Sequence, residues 1–267
     1  MFTPFSFFQG ASPSFTGLLD TYPGANFAYS IRRLSSIFTG SAFQARRVSD
    51  SATQDIGFIG ENLDTAALTT FAGGGECRVS IWYDQSGNGI NATTSLGDTY
   101  QPSITDGSGV IYTNANGNTA IKWNSAREMR FTLPSLITQP THYFTVCQDI
   151  TPNDNVHMLD GGIFGPNRQL TGVLSGQILY AGAVLNGGPV NTNSVIIESL
   201  FNGASSKIAY NDLTGVVGNA GTQGIDILRI GDGNWDGTIS EIIQYPSNQS
   251  TDSADIKINI NTYYTLY

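Results

Sequence analysis

The sequence predicts an all-β protein, an antiparallel two-sheet jelly-roll sandwich with short N-terminal and C-terminal helices. Three observations predict it. From residue 78 onward, apolar residues mostly recur at a period of two, in short runs bounded by Gly, Asn, Asp or Pro. No helical segments separate most of these runs, which argues against a parallel α/β sheet. The length of 267 residues, 40% of them apolar, suits one large sandwich.

Three helices are predicted outside the strand-rich region. Phe27, Ile31 and Leu34 begin an apolar stripe that predicts a helix over residues 24–38. Asp64 as a cap and Gly73 as a stop predict a second helix over residues 64–71. The third is a terminal helix over residues 253–267.

The strands predicted by the period of two fill most of the rest of the chain. They cover residues 42–48, 78–83, 120–123, 129–133, 143–149, 177–184, 194–201, 207–210, 226–230 and 238–245.

We divide the chain into an N-terminal arm, residues 1–18, and a single lectin-like domain, residues 19–267. The arm carries Phe2, Phe5, Phe7 and Phe8. An exposed aromatic patch of this kind is rare on monomers, so we expect self-association or docking through the arm. A coil on the domain's own surface is the alternative.

Composition excludes several partners. The net charge is −9 and only 12 residues are Lys or Arg, so no basic stripe exists for nucleic acid or an anionic membrane surface. No apolar run reaches the ~18 residues of a membrane helix. No Cys/His spacing predicts a metal, and we expect no cofactor. Cys77 and Cys147 lie in predicted strands and are expected as buried free thiols, with a disulfide as the alternative.

Five short runs near the start of the chain keep an order and spacing of their own. They are residues 29–34, 44–50, 55–57, 63–64 and 81–89, the last containing Tyr-Asp-Gln-Ser-Gly-Asn-Gly. Together they resemble the N-terminal half of the catalytic domain of fungal α-L-arabinofuranosidase B. Later runs, residues 201–207, 230–232 and 237–246, are similar to the closing strands of concanavalin A-like and laminin G-like sandwiches. The resemblance covers roughly residues 19–267 and implies a jelly-roll fold.

The resemblance also implies a pair of catalytic carboxyls. The family's acid/base Asp lies in a Gly-Asp-Asn turn, and Asp232, between Gly231 and Gly233, is its candidate counterpart. The family's nucleophile is a Glu on a mid-domain strand, but residues 177–185, which should match it, contain no acidic residue. Glu198 is the only Glu between residues 129 and 240. The nucleophile is therefore expected to be missing. No residue is assigned as catalytic, and Asp232 is only a candidate for the acid/base role.

Two residues beside Asp232 could bind a sugar without hydrolysing it. Trp235 offers an aromatic face for stacking, and Asn234 offers an amide, so Asp232, Asn234 and Trp235 form the candidate carbohydrate site. The alternatives are a plain turn carboxylate for Asp232 and a loop anchor for Trp235. A turn built for structure is likewise preferred over a metal or sugar site at Asp84.

From these observations we expect a non-enzymatic lectin-like structural or adhesion module of a bacteriophage virion. The reasons are the missing nucleophile, the aromatic arm, and an N-terminus without a signal peptide. A further reason is the loss of a disulfide that the resemblance implies, because Cys77 stands at one of its two positions but the other falls at about Ala72. Its expected partners are other virion proteins and a cell-surface glycan. The alternatives are a secreted arabinofuranosidase-type glycoside hydrolase and a stand-alone carbohydrate-binding module.

Overall fold

The computed structural model describes residues 15–124, 126–162, 166–232 and 234–267. Within these ranges the elements are α1 (Leu18–Thr21), β1 (Phe27–Ser30), β2 (Phe43–Arg47), β3 (Thr53–Ile56), β4 (Phe58–Ile59), β5 (Asn62–Leu63), α2 (Thr65–Ala72), β6 (Cys77–Trp82), β7 (Ala92–Thr93), β8 (Ile121–Trp123), β9 (Met129–Ile137), β10 (Thr141–Asp149), β11 (Val156–Asp160), β12 (Leu170–Val173), β13 (Gln177–Tyr180), β14 (Val184–Gly188), β15 (Val195–Phe201), β16 (Ser206–Tyr210), β17 (Val216–Gly218), β18 (Ile225–Asp232), β19 (Gly237–Tyr245) and α3 (Ser253–Tyr264). Two 3₁₀ turns cover Asp98–Tyr100 and Gly203–Ser205.

Two large antiparallel sheets form the body of the molecule. One has the strand order β1-β19-β10-β15-β16-β17, with β8 also paired to β19, and the other has the order β14-β13-β12-β11-β18-β9. A hydrogen bond of 3.2 Å between Thr171 Oγ1 on β12 and Ser199 Oγ on β15 joins the two sheets. The prediction of a mostly β antiparallel sandwich is confirmed, and the jelly-roll connectivity stays a prediction. A smaller sheet, β3-β2-β6-β7, and the β4–β5 hairpin complete the fold.

Three tryptophans run through the core. The ring centroids of Trp82 and Trp123 are 6.1 Å apart, and those of Trp123 and Trp235 are 6.4 Å apart. All three side chains are at most 1% exposed. Trp82 and Trp123 therefore lie in the core.

The predicted helix over residues 24–38 is wrong. Residues Phe27–Ser30 instead form β1, which pairs with β19 from Phe27 opposite Gln244 to Ser30 opposite Glu241. All four β1 side chains are buried. The helical spacing of apolar residues is overridden because the edge of β19 supplies backbone partners and a core face to this segment.

The other two predicted helices are confirmed. Asp64 caps α2 by accepting a 2.9 Å hydrogen bond from the Ala67 N–H, and Gly73 ends it in the left-handed region at φ 59°. Helix α3 ends at Tyr264, where Thr265 takes the left-handed conformation. None of the helices in the described ranges is long and apolar enough to cross a bilayer. Residues 1–14, most of the predicted arm, lie outside the described residues, so association through the arm stays a prediction.

Candidate functional site

Asp232 stands at the last position of β18, directly after a glycine that shapes the strand end. Gly231 has φ 74°, in the left-handed region that glycine adopts at little cost. A Cβ at this position would overlap the ring of Trp123. The strand can therefore turn here, against the core, only because residue 231 has no side chain.

The carboxylate of Asp232 is held by two basic side chains. Its Oδ2 accepts a hydrogen bond of 2.9 Å from His157 Nδ1, and its Oδ1 forms an ion pair with Arg229. His157 lies directly opposite Asp232 in the β11–β18 pairing. Opposite His157 on its other side is Gly172 of β12, where a Cβ would lie 3.2 Å from His157 Cδ2. The glycine thus leaves room for the imidazole.

A second carboxylate, Asp160, lies beside the same histidine. His157 Nδ1 lies 3.3 Å from Asp160 Oδ2. The register of the β11–β12 pairing shifts between His157 and Leu159. Arg168 donates two hydrogen bonds of 2.7 and 3.0 Å to Asp160. One atom from each of Asp232, His157 and Asp160 can be chosen so that all three lie within 4.8 Å of one another. We call Asp232, His157, Asp160 and Arg229 the Asp232 cluster.

A third carboxylate braces the arginine of this cluster. Glu128 accepts hydrogen bonds of 2.7 and 3.0 Å from Arg229, and both side chains are 5% exposed. Arg229 therefore bridges Glu128 and Asp232, and its Nη1 lies 3.7 Å from Asp160 Oδ2. Such a bidentate pair fixes the direction of the guanidinium as well as its charge.

The environment sets the protonation of the cluster. Burial alone would raise the pKa of Asp160, but hydrogen bonds from His157 and Arg168 outweigh it and lower the pKa to about 2. For His157, burial alone would lower the pKa, whereas Asp160 and Asp232 together raise it above its ordinary value. Asp160 is consequently ionised at neutral pH, and His157 holds its proton to higher pH than a free imidazole does.

His157, Asp160 and Asp232 are also a set of side chains in the described ranges that could converge on a cation. Arg168 already pairs with Asp160, and Arg229 already pairs with Asp232. Their positive charges compensate the site, so the geometry favours an ion network over a metal centre.

The structure corrects the sugar-binding assignment of Trp235. This side chain is 1% exposed and packs on Trp123, so its ring has no face free for a sugar. It anchors the loop, as the alternative interpretation held. Asn234 is exposed, and its backbone N–H donates a hydrogen bond of 2.6 Å to the Asp232 carbonyl oxygen.

Two other acidic candidates are structural. Glu198 is fully buried on β15, where Lys207 and Lys257 lie 3.0 and 2.9 Å away and His142 lies 3.2 Å away. Asp84 accepts hydrogen bonds from the backbone N–H groups of Ala28, Ser86 and Ile90. Neither carboxylate has Asp232 as a partner.

Cys77 and Cys147 are free and buried, which confirms the expectation of two buried thiols.

Comparison with known proteins places this geometry in context. Residues 21–129 match the family model described as the catalytic domain of α-L-arabinofuranosidase B. The chain is 37% identical over 78 residues to α-L-arabinofuranosidase B of Aspergillus kawachii, covering 28% of this chain and 16% of that protein. It is 41% identical over 64 residues to a probable α-L-arabinofuranosidase B of Aspergillus terreus, covering 23% and 13% of the two chains. The matches thus span a small part of these curated relatives.

Solved structures extend the likeness to nearly the whole chain. A glutamine-for-glutamate variant of a GH54 α-L-arabinofuranosidase, soaked with 4-nitrophenyl α-L-arabinofuranoside, aligns with a TM-score of 0.71 at 18% identity. The alignment covers 93% of this chain and 66% of that one. An arabinofuranosidase complexed with arabinofuranosyl-α-1,2-xylobiose aligns with a TM-score of 0.65 at 19% identity, covering 93% and 65%. At these identities the likeness establishes the fold.

These findings overturn the expectation of a non-enzymatic bacteriophage virion module. Both the sequence match and the structural neighbours with the same fold are α-L-arabinofuranosidases, and they favour the hydrolase alternative. The chain therefore resembles the α-L-arabinofuranosidase B catalytic domain in sequence over residues 21–129 and in fold over 93% of its length.

Proposed function

We propose that the chain is a glycoside hydrolase that cleaves α-L-arabinofuranosides at the Asp232 cluster. The observation that carries the proposal is the pairing of two carboxyl groups, Asp232 and Asp160, around His157, with one atom from each of the three within 4.8 Å of the others. Retaining glycosidases place their two carboxyl groups about 5–5.5 Å apart. The match of residues 21–129 to an arabinofuranosidase catalytic domain supports the choice of substrate.

In this proposal Asp232 is the acid/base and Asp160 is the nucleophile. Asp232 is 11% exposed at its side chain and receives a hydrogen bond from His157, which can supply its proton. Asp160 is kept ionised by its low pKa of about 2, as an attacking carboxylate must be. Attack of an Asp160 oxygen on the anomeric carbon breaks the glycosidic bond while Asp232 protonates the leaving oxygen. Water deprotonated by Asp232 then releases arabinose.

Access to Asp160 requires movement of Arg168. Asp160 is fully buried, whereas the Arg168 side chain that pairs with it is 21% exposed. The Arg168 guanidinium also lies 5.6 Å from the ring centroid of Tyr180. We propose that a bound sugar displaces Arg168 toward solvent, which exposes the carboxylate.

A second candidate function is glycan binding without hydrolysis. It is favoured by one observation: neither β13 nor β14, where the resemblance implies the nucleophile, carries an acidic residue. The same sandwich would then hold an arabinofuranoside at Asp232 and Asn234 without cleaving it.

Turnover of 4-nitrophenyl α-L-arabinofuranoside separates the two functions. We expect the unmodified chain to release nitrophenol, and Asp232→Asn and Asp160→Asn each to lose at least ~10²–10⁴-fold in kcat. Asp226→Asn is the matched control, because Asp226 lies on the same strand but binds Asn167. It should keep near-normal activity.

Absence of turnover by the unmodified chain would contradict hydrolysis, as would an unchanged rate for Asp232→Asn. Saturable binding of the substrate without turnover would favour the second candidate.

Because arabinose-bearing polymers lie outside cells, we also propose that the chain acts as a secreted protein.

A further inference from the structure

A polar cleft lies beside helix α3, on elements that do not contribute to the Asp232 cluster. Its volume is about 430 Å³, within the ~300–1,000 Å³ of small-molecule sites. We call it the α3 cleft. The residues that line it and enter the argument are Arg32, Asn62, Asn118, Asn259, Thr262 and Tyr263.

The α3 cleft is electrically compensated. Arg32 pairs with Glu61 at 3.3 Å and with the fully buried Glu241 at 2.8 Å. Its guanidinium therefore has no unpaired charge to offer an anion. A neutral ligand that binds through hydrogen bonds fits this wall best.

One buried polar atom in the cleft has no hydrogen-bond partner among the described residues. The Asn259 Oδ1 atom is buried and accepts no hydrogen bond from the described residues. Buried polar atoms are normally paired, so an unpaired Asn259 oxygen beside an open cleft indicates a place for a ligand hydroxyl.

The cleft also has an aromatic wall. Tyr263 is partly buried, and its ring lies 5.2 Å from the Arg32 guanidinium and 4.8 Å from the Tyr264 ring, which hold it in place. A fixed tyrosine combines an apolar surface with a polar tip. Amide groups next to such a ring match the alternating hydroxyl and C–H surfaces of a sugar.

We propose that the α3 cleft is a second saccharide-binding site, which holds a neutral sugar unit of a polymeric substrate away from the Asp232 cluster. The choice of an arabinose-bearing polysaccharide as ligand rests on the proposed function. Binding at the cleft itself does not depend on catalysis. The site would raise affinity for polymer while leaving small aryl substrates unaffected.

The test uses soluble arabinoxylan as the probe, in isothermal titration calorimetry with the Asp232→Asn variant of the 267-residue chain so that the polymer is not cleaved. Adding Tyr263→Ala or Asn259→Ala should raise the Kd at least tenfold. Tyr267→Ala is the control, because Tyr267 is an exposed tyrosine outside the cleft lining, and it should bind normally. In the otherwise unmodified chain, the two cleft variants should turn over 4-nitrophenyl α-L-arabinofuranoside at the normal rate.

The outcomes separate the two proposals. Polymer binding that is lost in Asn259→Ala and Tyr263→Ala supports the cleft even if the chain shows no hydrolysis. Normal polymer binding by both cleft variants, or no binding of arabinoxylan by the parent, overturns the cleft even if hydrolysis is found. Asn259→Ala removes a half-buried amide whose Oδ1 has no partner among the described residues, and alanine favours helix formation, so this variant serves where Tyr263→Ala disturbs the fold.

Discussion

His157 shares one ring nitrogen between two carboxylates. Its Nδ1 lies 2.9 Å from Asp232 Oδ2 and 3.3 Å from Asp160 Oδ2. The groups that face it are Asp160 from its own strand, Asp232 and Arg229 from β18, and Arg168 from the segment before β12. The two carboxylates that contact Nδ1, Asp160 and Asp232, raise the pKa of His157 despite its burial.

This arrangement predicts a pH-dependent share of stability. Because the folded-state pKa of His157 lies above its ordinary value of 6.5, protonation stabilises the fold fully below pH 6.5, and this stabilisation is lost as pH rises through the raised pKa. The free energy of unfolding lost in His157→Gln should therefore be larger at about pH 5.5 than at about pH 9. Urea denaturation at both pH values measures it. A loss that is the same at both pH values would show that His157 is not charged in the folded protein.

At the scale of elements, the ends of β11 and β18 build the site. The sequence placed Asp232 in a turn, whereas in the structure it is the last residue of β18, ahead of β19. The sequence did not reveal β11, so His157 and Asp160 were missed. This strand is five residues long, and its polar members point into an ion cluster instead of marking a solvent face. A carboxylate three residues after a histidine was the only signal available, and that spacing alone is common.

Gly231 is the residue on which this junction depends most. In Gly231→Ala, the new Cβ would overlap Trp123 while the residue is held at positive φ, so we expect a loss of about 3 kcal/mol or more in the free energy of unfolding. Two glycines with no atom within 4 Å of an added Cβ are the controls. Gly87→Ala, at φ 91°, should show only the backbone cost of about 1–2 kcal/mol, and Gly57→Ala should change stability by less than about 0.5 kcal/mol. Equal losses in Gly231→Ala and Gly87→Ala would show that contact with Trp123 is unimportant.

At the scale of the whole molecule, the two large sheets differ in what lies on them. The sheet containing β11 and β18 carries the Asp232 cluster, whereas the sheet containing β15 and β19 packs against α3. Lys257 of α3 binds the buried Glu198, and Tyr264 of α3 lies 3.2 Å from the buried Glu241. These contacts fix α3 on the sandwich and so shape the α3 cleft. Composition and period predicted the sandwich, but which sheet carries the Asp232 cluster depended on long-range strand pairings that no local pattern records.

The stereochemistry of hydrolysis tests the central claim most directly. The proposed roles of Asp160 as nucleophile and Asp232 as acid/base predict a double displacement, and hence net retention at the anomeric carbon. ¹H NMR of the early time course with 4-nitrophenyl α-L-arabinofuranoside should show the α-anomer of arabinose first, followed by mutarotation, and Asp160→Asn should abolish the signal. No arabinose released by the unmodified chain, or the β-anomer appearing first, would contradict the account.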